Sequence, residues 1–258
     1  MYDYRGLYDP IFLTLYAVAG CLALVACLYL LLRRRNLFMH EYGPNSMTMK
    51  TSTGELVRYG GPMRSSLRLR RWTAALMVAM AASHVWWYVI GVYWLADDWL
   101  VRTITVIMLD HTTLVPLTMG VLLAMLQDRR RPLWPWLWAQ LPVVVDAAVG
   151  ISQRDMFFGY ELPHYWQLGV VAVFVVYYIF ALRQYGRWLL DNYADLDHKE
   201  VWQSMVFAMA LFVVYIIYTS NAGELVREYL SQVISIVIIA FLLWRVETLQ
   251  ELKSYEKD

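Results

Sequence analysis

Apolar residues in this chain fall in long, nearly unbroken runs rather than in the spaced stripes of a soluble helix or the alternation of a half-buried strand. Seven runs, near 10–32, 72–95, 100–126, 133–151, 165–183, 202–220 and 228–246, approach the length needed to cross a bilayer, which takes ~20 apolar residues for ~30 Å of hydrocarbon. Lipid leaves no partner for an unpaired backbone group, and no barrel-like period of two is present, so each run is predicted to be an α-helix. The fourth run is the least regular, interrupted by Pro135, Gln140, Pro142 and Asp146. Pro116 in the third run removes a backbone donor and predicts a kink near Thr112 or Thr113, with those hydroxyls re-satisfying the freed carbonyls. Between the first two runs, residues 33–71 contain turn signals and a weak alternation, "TMKTSTGELVRYGG", centred on Thr53 and Gly54. That stretch reads equally as a small hairpin or as a solvated polybasic linker drawn to anionic lipid.

Composition agrees with the pattern. The 258 residues are 60% hydrophobic and 17% charged, with a mean hydropathy of +0.43, whereas soluble domains average ~45–50% apolar and ~25% charged. The net charge of +1 conceals an asymmetry, because 18 of the 22 basic residues fall on one side of the predicted topology. Positive charge stays in the cytoplasm. The expected fold is therefore an all-α, polytopic membrane protein with seven transmembrane helices, the N-terminus outside and the C-terminus cytoplasmic. The expected location is a bacterial inner membrane. The membrane domain is taken as 1–246, and 247–258 as the start of a cytoplasmic connector helix. The first run reads as a span and not a cleaved leader, since arginines follow it instead of preceding it. Cys21 and Cys27 lie six residues apart on one helix and form no disulfide or metal pattern.

Polar residues inside the runs are the candidates for chemistry. At ~1.5 Å per residue, His84, Asp110 and Asp146 are expected ~15–20 Å deep, within about one helical turn of each other. An isolated ionisable group there costs at least ~2.5–3.5 kcal/mol, so the three are expected to face inward and satisfy one another. His111, about 100° around the helix from Asp110, is expected to face a neighbouring helix. On the second run His84, Trp87 and Tyr88 share one face with Gly91. That face reads as interfacial packing or as an aromatic pocket opening outward. The candidates for ligand or proton sensing are thus His84, Asp110, His111, Asp146, Trp87 and Tyr88; if a metal binds, His84, Asp110 and Asp146 are its expected ligands.

The output end is "FLLWRVETLQELKSYEKD", with Leu242, Val246, Leu249 and Leu252 at helical spacing and no Gly or Pro. It is expected to leave the membrane as an amphipathic helix able to pair with a second copy, with Arg245, Glu247 and Leu249 carrying the signal. The stretches "NYADLDHKEVWQSM" (192–205) and "LLWRVETLQEL" (242–252) resemble a family of bacterial membrane-bound regulators. In that family a multi-helix membrane region precedes a cytoplasmic AraC-type DNA-binding or histidine-kinase domain. The resemblance implies signal input and carries over no binding residue; neither output domain is recognisable in these residues. The acidic patch 187–203 (Asp191, Asp195, Asp197, Glu200) is expected to dock on Arg33–Arg35, on Arg129–Arg131 or on the connector helix.

Several functions are excluded or demoted. The last run lacks the lysine that retinal needs, and no HExxH spacing, phosphate-binding glycine loop or nucleophile elbow occurs. Three readings stay open. The first is a sensor that detects a small ligand or a membrane state and reports through its last helix. The second is a membrane-embedded oxidoreductase using His84 and His111 with a metal or haem. The third is a structural subunit whose polar layer only holds helices together. The first predicts no cofactor. Its partners would be the lipid bilayer, an unidentified small ligand and a second copy, with no direct nucleic-acid contact by this chain.

Overall fold

The structure, a computed structural model, describes residues 9–33, 48–50, 56–58, 65–90, 98–193, 199–219, 224–249 and 251–252. The expectations for Gly91, Asp195, Asp197 and residues 253–258 fall outside these. Among the described residues the fold is all-α apart from one short ribbon. The helices are α1 (Pro10–Leu32), α2 (Leu67–Tyr88), α3 (Trp99–Met125), α4 (Trp134–Trp138), α5 (Leu141–Gln153), α6 (Leu162–Asn192), α7 (Trp202–Thr219) and α8 (Glu224–Thr248). The ribbon pairs β1 (Thr48–Lys50) with β2 (Leu56–Arg58), antiparallel, Met49 opposite Val57. This register centres the turn where the alternation placed it, and decides for the hairpin.

Four segments are long and apolar enough to cross a membrane: α1, α3, α8 from Tyr229, and α6 together with the π-helical turn Phe157–Glu161 before it. Two of the starts have a side-chain cap. Asp9 caps α1 by accepting from the Ile11 amide (2.9 Å), and Pro10 presets the first helical φ. Asp98 caps α3 by accepting from the Val101 amide (3.3 Å) and also receives Arg154 at 2.8 Å. Pro116 lies inside a continuous α3. The Thr112 and Thr113 hydroxyls donate to the Met108 (2.7 Å) and Leu109 (2.6 Å) carbonyls, one turn before the ones proline frees. The expected rescue of those carbonyls is therefore corrected: each threonine bonds back along the helix.

α2 is central, packing against α1, α3 and α8. Gly120 of α3 is needed where Trp72 of α2 crosses it, since a Cβ there would come within 2.7 Å of the indole. Gly150 of α5 and Gly159 of the π-helical turn meet backbone to backbone; a Cβ on Gly159 would fall 2.1 Å from Ile104.

The fourth run departs from expectation. It is two helices, α4 of five residues and α5 of thirteen, separated at Ala139–Gln140. The ladder is interrupted there, where Pro142 has no amide to give the Trp138 carbonyl. The Ala139 carbonyl at the break accepts from Trp166 Nε1 on α6 (2.8 Å). The output end departs too. α8 stops at Thr248, and Leu249 and Leu252 are buried against this same chain, 1% and 7% exposed. The Leu252 amide donates to the Gln127 side chain at 2.8 Å. Leu242, Val246, Leu249 and Leu252 are all buried, as their spacing implies, and the last two pack against the chain itself.

Candidate functional site

The Asp110 carboxylate is part-buried and accepts three side-chain hydrogen bonds. Ser83 Oγ donates to its Oδ1 (2.7 Å), Trp86 Nε1 to Oδ1 (2.9 Å) and Trp87 Nε1 to Oδ2 (2.6 Å). All three donors come from α2 within five residues. Positions i, i+3 and i+4 of a helix share a face, so one turn of α2 forms a neutral cradle for one carboxylate of α3. Donors without charge favour the ionised carboxylate without neutralising it.

His84 occupies the same turn of α2, turned towards α1 and α8. Its Nδ1 lies 2.7 Å from the Met80 carbonyl, which only accepts, so Nδ1 carries a proton. Its Nε2 lies 3.0 Å from the Gln232 side-chain amide of α8. That amide has an acceptor and a donor end, and serves a neutral or a charged ring by turning over. Tyr16 of α1 donates to the His84 backbone carbonyl and packs on the imidazole at 4.7 Å between ring centroids. A Cβ on Gly20 would stand 3.4 Å from the His84 side chain, an ordinary packing distance, so α1 and α2 lie side by side there.

The expected three-residue layer is only partly assembled. Asp110 and His84 are brought to one level of α2, but the carboxylate is bound by Ser83, Trp86 and Trp87 and by neither His84 nor Asp146. Asp146 lies half-buried on α5, with no hydrogen bond to the cluster. The break at Ala139 explains its displacement. Depth counted along a continuous helix from Leu133 does not hold once α5 begins level with Trp166 and with Thr112, which lines a shared groove with Gln140, Leu141 and Val144. The metal set of His84, Asp110 and Asp146 is therefore not gathered, and among the described residues no group of three or more His, Cys, Asp or Glu is placed to hold an ion.

His111 does turn to a neighbouring helix. It is buried, its Nδ1 lies 2.7 Å from the Ile107 carbonyl, and its ring meets His164 of α6 edge-on at 4.9 Å. Tyr88 is 41% exposed. Ser83, Trp86, Gln232, Tyr16 and His164 were not anticipated from the sequence. The legible signal was Ser83, Trp86 and Trp87 at one-turn spacing opposite a run carrying a single acid.

A second polar site closes the inner end of the bundle. Arg70 of α2 donates from Nε to Ser65 Oγ (2.6 Å), from one terminal nitrogen to the Arg33 carbonyl, and from the other to Glu247 of α8 (2.9 Å). The pair is 5% and 2% exposed. Arg245 is also buried, donates to the Glu200 carbonyl at 2.8 Å, and lies 5.3 Å from the Trp244 ring centre. Among the described residues, the segment before α7 meets α8 through the Glu200 backbone carbonyl. Arg245, Glu247 and Leu249, the residues expected to carry the signal, are all buried.

No family model, no curated protein and no solved structure matches the chain.

Proposed function

We propose that this chain is a membrane sensor domain of seven spanning segments, with the N-terminus outside and the C-terminus cytoplasmic. In this reading α2 carries the state of the Asp110–His84 cluster to the inner end of α8, and α8 passes it to a cytoplasmic output domain. One observation supports this above the rest. α2 and α8 are joined at two levels, His84 to Gln232 and Arg70 to Glu247. The joints are about 14 residues apart on α2 and about 15 on α8, roughly 21–23 Å at the helical rise. Two rails pinned at matched spacing move together or break a joint. A change of charge or ligation at the upper joint is therefore felt at the lower one.

The seven spans comprise the four long apolar helices, α2, α7 and the broken α4–α5 pair. Most of the arginines and lysines fall on the side where α1 ends and α2 begins, which supports a cytoplasmic inner face. Arg70 and Glu247 neutralise each other there, so the start of α2 and the end of α8 are brought into one place without net charge from the pair.

Spin labels test the coupling. With Cys21 and Cys27 replaced, labels at exposed Leu67 and Trp244 report the separation of the inner ends of α2 and α8. Asp110→Asn removes the charge from the cradle, and the label distance should then shift by on the order of 1–2 Å, the size of a signalling helix movement. An unchanged distance distribution in a folded Asp110→Asn protein would leave the cluster a purely structural tie.

A further inference from the structure

The break between α4 and α5 leaves a groove on the flank of the bundle. Its volume is about 370 Å³, within the ~300–1,000 Å³ of small-molecule sites. Thr112 of α3 forms one side, and Trp134, Trp138, Gln140 and Leu141 of the broken helix pair form much of the rest. Trp134 and Trp138 stand one turn apart on α4 and are 63% and 66% exposed, so two indoles border the opening. The groove reaches the level of Thr112, ~20 Å along α3 from Trp99 at the helical rise. In a spanning helix that is deep in hydrocarbon, beyond the reach of bulk water.

Hydrogen-bond donors run short around the break. Pro142 has no amide for the Trp138 carbonyl. The Trp166 indole is committed to the Ala139 carbonyl at 2.8 Å. Thr112 spends its proton on the Met108 carbonyl (2.7 Å), so towards the groove its hydroxyl offers only lone pairs. Gln140 is 4% exposed, and its Nε2 donates to the Trp136 carbonyl at the long distance of 3.3 Å. Among the described residues its Oε1 is buried with no hydrogen-bond partner. An unmet acceptor is costly in hydrocarbon, and a ligand that brings a donor to it recovers that cost. The single long bond leaves the amide free to tip its oxygen into the groove.

We propose that this groove binds a membrane-dissolved phenol, its ring on Trp134 and Trp138 and its hydroxyl donating to Gln140 Oε1. A flat ring suits the two indoles, and the hydroxyl supplies the missing donor. The apolar body of the ligand lies along Leu137 and Leu141, both half-exposed, and leaves the groove towards lipid. A ring ether or carbonyl in the same place would set acceptor against acceptor. Thr112 follows Asp110 by two residues, about 200° round α3, so the groove is separate from the Asp110–His84 cluster. The site goes beyond the sensor reading and stands without it.

The full chain in phosphatidylcholine nanodiscs is titrated with tritiated para-nonylphenol, with empty nanodiscs as the blank. Binding above the blank should saturate. The methyl ether, para-nonylanisole, should compete about tenfold more weakly, the effect of one net hydrogen bond. Gln140→Met should weaken the phenol about tenfold and leave the ether unchanged, erasing the difference. Trp138→Ala should weaken both roughly threefold to tenfold, whereas Trp202→Ala, which removes an exposed indole of α7, should change neither. Binding that does not saturate, equal affinity of wild type for phenol and ether, or a difference that survives Gln140→Met would overturn the site. Phenol without the nonyl tail should bind far more weakly; equal binding would overturn the membrane source in favour of a water-borne ligand. Circular dichroism melting verifies each variant. If Gln140→Met unfolds, Trp138→Ala, at an exposed position, still decides: unchanged phenol binding there overturns the assignment. The label-distance experiment on Asp110 involves no ligand, so the sensor reading and this site fail separately.

Discussion

α2 carries two buried polar sites, and they are satisfied in opposite ways. Near its outer end it offers three neutral donors to the Asp110 carboxylate, all from one helical turn. At its inner end Arg70 meets an opposite charge, Glu247, and oxygens from two further segments. The first arrangement joins two helices and leaves a net charge in place. The second joins α2 to α8 and to the end of α1, and sums to zero. A neutral ion pair is a lock, because removing either partner strands the other. A carboxylate held only by dipoles can lose its charge and keep most of its hydrogen bonds, so it is the better seat for a change of state.

Breaking the lock should have the largest effect. Glu247→Ala leaves Arg70 buried and unpaired and should cost about 3–5 kcal/mol in reversible unfolding in detergent. Arg70→Met combined with Glu247→Leu should recover most of that loss; a double variant as unstable as the single would show that the ion pair itself, not the stranded charge, sets stability. Next comes the cradle. Asp110→Leu strands two indole donors and a hydroxyl and should cost about 1–3 kcal/mol. Asp110→Asn should cost less, about 1 kcal/mol, since its oxygen still accepts from Ser83 and Trp86 while its amide nitrogen faces Trp87 Nε1. Adding Trp87→Phe to Asp110→Asn should then cost nothing more, a non-additivity that a double-mutant cycle reads directly.

The smallest effect belongs to a third, exposed acid at the outer end. Asp9 accepts from the Tyr229 hydroxyl of α8, which with the Ile11 amide holds its pKa below the usual carboxylate value. Because the folded value is the lower one, this contribution is complete above the unfolded pKa of ~3.9 and is lost as pH falls through the folded value. Melting temperatures followed from neutral pH to below 3.9 should therefore fall slightly more in wild type than in Tyr229→Phe. Identical slopes would remove this pair from the stabilising contacts and leave only the two buried sites.

Some of this was readable in the residues and some was not. The bounds of α1 follow from Asp9, Pro10 and an uninterrupted apolar run closed by arginines, and the structure reproduces them at Pro10–Leu32. The pairing of β1 with β2 answers one of two equal readings of the alternation about Thr53 and Gly54, and its register was not readable from the residues. The fourth run misled because hydropathy averages over Pro135 and Pro142, and the ladder is interrupted at Ala139–Gln140, where Pro142 has no amide to give the Trp138 carbonyl. That one error also misplaced Asp146. The partners of Asp110 escaped notice because tryptophan in an apolar run reads as interface or packing, and only the depth of its neighbour shows that its indole N–H is needed. Leu249 and Leu252 gave a correct buried face but no indication of its partner, since spacing is the same whether a helix covers another copy or its own chain.

The Ala139 carbonyl has a further consequence, for the order in which the chain is built. Its partner, the Trp166 indole, is encoded 27 residues later. During synthesis α4 and α5 therefore leave the ribosome before the group that closes the gap between them exists. Until α6 arrives, an open carbonyl flanked by two prolines makes that stretch a poor candidate for lateral release into lipid. Residues 133–153 are expected to wait beside the insertion machinery and enter together with α6, as one hairpin-like unit.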